Sequence, residues 1–125
     1  MLNVLLVALG GGLGAASRFG VSLAMPARAD AWPVATFLIN VTGSFLIGLL
    51  AGWVATKGED GEPWRLFLGV GVLGGFTTFS AYSLETMRMI ERSDWLGAAS
   101  YAIGSVIAGL VAVTIGMMLA KRVFG

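Results

Sequence analysis

The stretch LFLGVGVLGGFTTFSAYSL, residues 66–84, holds no charged side chain. Yet positions 74–83 gather hydroxyls from Thr77, Thr78, Ser80 and Ser83, the rings of Phe76, Phe79 and Tyr82, and the pair Gly74-Gly75. A helix needs about 20 residues, at ~1.5 Å each, to cross a hydrocarbon layer. This stretch has that length, so its polar groups sit where bulk water cannot meet them and each needs a partner.

The rest of the chain has the same character. Of 125 residues, 57% are hydrophobic and 12% charged, far too apolar for an ordinary soluble domain. Met1–Ser17, Ala31–Thr56, Leu66–Leu84 and Trp95–Ala120 are charge-free, and all 8 basic and 7 acidic residues fall between or after them. The pattern predicts an all-α membrane protein, one domain over 1–125 with transmembrane helices near 2–24, 32–56, 64–90 and 95–120. The first span passes Arg18 if the guanidinium snorkels to the headgroups or finds a polar partner. Trp32, Trp53, Trp64 and Trp95 fall near the proposed ends, where an amphipathic indole prefers to sit. Residues 1–17 lack a basic leader region and an equally apolar remainder follows, so they are expected to be a retained span.

Four spans place the 57–65 segment on one side with both ends of the chain. That side carries Lys57, Arg65, Lys121 and Arg122, against Arg18, Arg28, Arg88 and Arg92 on the other. The excess of Lys and Arg normally selects the cytoplasmic side. A four-to-four balance gives no electrostatic choice, so insertion in both orientations is expected, unless one or two arginines are buried in pairs and a bias returns. Small residues four apart, at Gly10/Gly14, Gly48/Gly52, Gly71/Gly75 and Ala108/Ala112/Gly116, suit close helix packing in lipid. Four such helices enclose too little volume for a private aqueous path, so a pore calls for two copies.

Several functions are excluded. With no histidine, no cysteine and no carboxylate pair inside the apolar runs, nothing suggests an enzyme. Gly10, Gly12 and Ala15 fit G-x-G-x-x-A, with Asp30 about 20 residues on, but that fingerprint has meaning only between a strand and a helix. Here further apolar spans follow, and neither a nucleotide nor a nucleic-acid partner is expected.

What remains is polarity inside the membrane. Ser and Thr can bond back to the preceding turn, so Thr42, Ser44, Ser100, Ser105 and Thr114 are each compatible with a neutral role. Asn40 is different, because its amide needs up to four partners. It acts either as interhelical glue or as the liner of a hydrophilic passage. On a continuous helix at ~100° per residue, Phe76, Phe79 and Tyr82 form one stripe and Thr77, Ser80 and Ser83 its neighbour. Gly74-Gly75 suggests an interruption near mid-membrane, whose freed carbonyls and amides are met by another helix, water or a bound cation. The alternative is a glycine packing notch with the rings as filler.

Together, GGFTTFSAYS-x-E at 74–85, Asn40 with Gly43, Gly14 with Arg18, and Tyr101 resemble the small fluoride channels of the Fluc or CrcB family. The likeness touches all four spans. It implies an antiparallel, dual-topology homodimer with two pores in a bacterial-type cell membrane, passively exporting fluoride from the cytoplasm. It also implies a structural sodium ion, not transported, on the carbonyls of Gly74 and Thr77. Asn40 matches the asparagine that donates to the ion, and Phe79 the first of two pore phenylalanines. The second falls on Tyr82, a departure. Ser80, Ser83, Tyr101 and Ser105 would extend a polar track, with Arg18 and Glu85 nearer the membrane boundaries. Glu85 also has Arg88 at i+3, so a local ion pair is its plainer explanation.

The chemistry suits these residue types. Fluoride is a small, hard hydrogen-bond acceptor, so a conduit must replace water with amide and hydroxyl donors and the electropositive edges of rings. The donors must also release it. A rival class, a dual-topology proton/cation exporter of the small multidrug resistance kind, requires an acid embedded in the first helix, and Met1–Ser17 has none.

Overall fold

The computed structural model describes residues 1–125 and is helical, without strands. We name the helices α1 (Leu2–Ala24), α2 (Val34–Val54), α3 (62–76), α4 (Phe79–Glu91) and α5 (Trp95–Phe124), with a 3-10 turn at Gly58–Gly61 before α3. α3 is composite: a first turn Glu62–Trp64, a π-helical run Arg65–Leu73 and a final turn Gly74–Phe76. Four helical segments are long and apolar enough to cross a membrane: Leu2–Ala24, Val34–Val54, Gly58–Glu91 and Trp95–Phe124.

Local chemistry sets the ends. Pro33 stands at the N-cap of α2, where a missing N–H costs nothing. The Thr78 hydroxyl accepts from Ala81 N (3.2 Å) and the Asp94 carboxylate from Gly97 N (2.9 Å), capping α4 and α5. α4 stops at Ser93, the one non-glycine with positive φ (60°), where Ser93 N and Asp94 N donate back to Ile90 O and Met89 O at 2.9 and 2.8 Å. Arg92 Nη1 then ties this turn to Ala29 O at 2.8 Å.

The helices pair as α1 on α3, α2 on α5, and α4 on α5. Glycines permit the two longest contacts. A Cβ on Gly10 or Gly14 would strike the carbonyl of Phe67 or Val72, and one on Gly48 or Gly116 that of Val113 or Phe45. The small-residue repeats are therefore used inside the chain. Only 15 of 125 residues are buried, while Leu5, Leu9 and Leu13 on α1 and Ile103, Ile107 and Leu110 on α5 remain exposed. Such a surface suits lipid, where outward apolar side chains cost nothing. Trp53 and Trp64 pack edge to face at one end (5.8 Å), whereas Trp32 donates to Ser100 Oγ (3.2 Å) near the start of α5. The G-x-G-x-x-A run lies wholly within α1, with no strand before it.

The third span is broken, but three residues later than the glycine pair suggests. Gly74 and Gly75 are still helical; Thr77 (φ −80°, ψ 156°) and Thr78 (φ −149°, ψ 119°) are extended. The glycine at 75 answers a packing need, since a Cβ there would meet the Gly11 carbonyl of α1. The stripes expected on a continuous helix consequently end at the break. Phe76 and Thr77 do not share a helical register with Phe79, Ser80, Tyr82 and Ser83.

Candidate functional site

An open cleft of about 440 Å³ lies at the break. α2 contributes Asn40, Gly43 and Ser44, the end of α3 gives Leu73 and Gly74, and the break supplies Thr77 and Thr78. Phe79 and Tyr82 come from the first turn of α4, and Ser105 from α5. Gly43 is required here because a Cβ would collide with the Thr77 methyl.

Asn40 holds the break. Its Nδ2 donates to Thr78 O (3.0 Å) and its Oδ1 accepts from Thr78 N (2.9 Å), so one amide side chain pairs with one extended peptide as a neighbouring strand would. The glue role is thus visible, and one Nδ2 hydrogen stays free for the cleft. Nearby, Thr77 Oγ1 bonds back to Leu73 O (2.8 Å), and Arg18 Nε reaches from α1 to Gly75 O (3.2 Å). Arg18 thereby finds a polar partner inside the span through a partly buried bond.

These bonds also decide which carbonyls stay bare. The helical donor to Gly74 O would be Thr78 N, which is held by Asn40; the donor to Thr77 O would be Ala81 N, which is held by the Thr78 hydroxyl. Gly74 and Thr77 therefore present backbone oxygens without helical partners at the cleft, a set suited to a hard cation.

Behind the cleft the rings form a ladder. Phe79 and Tyr82 lie 5.5 Å apart between centroids, Tyr82 and Tyr101 5.3 Å, and Tyr101 and Trp32 5.2 Å. Phe79 is 78% exposed, whereas Tyr101 is fully buried. The hydroxyl oxygens of Tyr101 and Ser105, one turn apart on α5, are buried without a hydrogen-bond partner. Ser105 lines the cleft, so its orphaned hydroxyl marks where a polar guest would be rewarded there, whereas the Tyr101 hydroxyl lies behind it.

The remaining site residues lie apart from the cleft wall. Ser80 is exposed and meets Thr78 Oγ1 at 3.2 Å, and Ser83 bonds back to Phe79 O at 2.9 Å. Glu85 accepts from Thr36 Oγ1 at 2.7 Å, and no ion pair joins it to Arg88. Sequence reasoning missed Thr36, although Thr36, Asn40 and Ser44 recur four apart on α2, a polar stripe at helical spacing. It also missed the pairing of the Thr78 backbone with Asn40.

Fold and site define a small four-span membrane protein whose internal polar groups converge on a helix break. The family described as CrcB-like protein, Camphor Resistance (CrcB), matches residues 5–117, and the chain belongs to that family. A Caulobacter sp. (strain K31) protein named "Fluoride-specific ion channel FluC" is 48% identical over 126 residues, covering 99% of this chain and 98% of its own. Proteins of the same name from Methylobacterium nodulans (50% over 113 residues, 90% and 91% covered) and Phenylobacterium zucineum (50% over 126 residues, 99% and 99% covered) are similar to it.

Proposed function

We propose that this protein is a fluoride-selective channel of a bacterial membrane, and not an enzyme, letting fluoride leave the cytoplasm down its gradient. The observation that carries the reading is the cleft, where a free Asn40 N–H and the partnerless Ser105 hydroxyl stand with the rings of Phe79 and Tyr82. These are neutral donors and ring edges, able to replace the water of a small hard anion without trapping it. Full-length relatives at about half identity that carry the name fluoride-specific ion channel support the choice of ion.

The cleft is open on one side and Phe79 projects from it, so one chain does not close a passage. A second, oppositely inserted copy would close it, consistent with the even division of Lys and Arg between the two sides. In that dimer the Gly74 and Thr77 carbonyls would hold sodium, which supplies positive charge at the break and ties the copies together. Asn40, by fixing Thr78, keeps those oxygens turned out of the helix.

The test is growth. Expression in a bacterium stripped of its own fluoride exporters should restore growth in millimolar fluoride and lower cytoplasmic fluoride. Unchanged sensitivity, with the protein present in the membrane, would count against the channel.

A further inference from the structure

Tyr82 stands in the cleft wall on the first turn of α4, with Phe79 on one side and Tyr101 on the other. Its hydroxyl donates across to α5, to Ala102 O at 2.8 Å. A phenol has one proton to give, so this one is committed, unlike those of Tyr101 and Ser105. The hydrogen bond lies just past the break, where α4 has lost its continuity with α3. There the first turn is secured by the Thr78 cap, by the Asn40 pairing and by this bond, while Phe79 and Ser80 face outward.

We infer that Tyr82 is a selectivity-positioning residue: its hydroxyl anchors the ring to α5, fixes the gap between the Phe79 ring and Ser105, and leaves only the ring edge to face a passing ion. This deepens the channel reading and rests on it. A ring tethered at its far end cannot tilt aside, so the passage resists widening for a larger halide. Keeping the hydroxyl away from the ion also removes a strong donor that would slow release.

Fluoride and chloride efflux from liposomes, compared for the wild type and Tyr82→Phe, tests the inference. Tyr82→Phe keeps the ring and cuts the tether. The chloride-to-fluoride permeability ratio should rise about fivefold, the equivalent of one hydrogen bond. Para-aminophenylalanine at position 82, which restores an N–H donor, should return the ratio towards wild type. A merely structural tyrosine would alter melting and leave the ratio alone. A tenfold fall in fluoride efflux would show the hydroxyl to be an ion ligand and overturn the inference, as would an unchanged ratio. Wild-type protein that carries no fluoride would refute the channel reading, and the selectivity role with it. The tether itself is read separately, from the tyrosine bands in the wild-type minus Tyr82→Phe Raman difference spectrum, where a hydroxyl that does not donate overturns it.

Discussion

Asn40→Ala tests how the break is held. The substitution removes two bonds to Thr78, at 3.0 and 2.9 Å. Thr78 O loses its one donor, since no backbone N–H of α4 bonds to it. Thr78 N suffers more, since it has left the α3 ladder and would stand partly buried in the cleft wall without a partner. An orphaned buried donor costs about 1–3 kcal/mol, and the lost bond to Thr78 O adds about 1 kcal/mol, so the expected loss is about 2–4 kcal/mol. Reversible unfolding in bicelles, with the unfolded state trapped sterically, measures it. Interhelical side-chain bonds in a membrane protein average ~0.6 kcal/mol. A loss at or below that value would refute the reasoning, because Asn40 would then be an ordinary contact and the break would be held by something else. Asn40→Asp separates holding from conduction: it keeps an acceptor opposite Thr78 N but turns a carboxylate towards the cleft. Fluoride efflux should fall to background while the fold survives.

Gly14→Ala should destabilise by about 1–3 kcal/mol, because the added Cβ would strike Val72 O and lie 2.8 Å from Phe76 N, both backbone atoms of α3. Gly12→Ala, with nothing within 4 Å, should instead stabilise, by up to ~1 kcal/mol; paired thermal melts followed by size-exclusion chromatography check both signs. Ser93→Gly should raise stability by about 0.5–1 kcal/mol by relieving the left-handed residue between α4 and α5, and a lower melting temperature would contradict that account of the turn. Replacing sodium with a large organic cation should weaken the dimer in detergent, read as a monomer peak or faster subunit exchange. Dimers indifferent to sodium would remove the role proposed for the Gly74 and Thr77 carbonyls.

The four spans were legible because hydrocarbon punishes charge so heavily that fifteen charged residues, 8 basic and 7 acidic, are swept out of four runs. Arg18 was legible as a conditional: it needed a partner, and the sequence could not name Gly75 O. The break was foreseen but misplaced, because Gly-Gly reads as weak helix when its reason is the approach of Gly11. The π-helical run Arg65–Leu73 left no trace in residue type, since a hydrogen-bond register depends on how α3 seats against α1. Glu85 shows the same limit. Spacing offered Arg88 as its partner, and tertiary packing supplied Thr36. In the candidate site, residue chemistry marked Asn40, the rings and the hydroxyls. Which donors are already taken, Tyr82's above all, is settled only by the folded packing.

The central claim is that a weakly binding path of neutral donors and ring edges carries one small anion across the membrane. Its most direct measurement is efflux from liposomes reconstituted with purified protein and loaded with equal fluoride and chloride, followed by ion-selective electrodes after a potassium ionophore clamps the charge. The account predicts prompt fluoride release with chloride retained until detergent is added. Release of both ions together, or of neither, would contradict it.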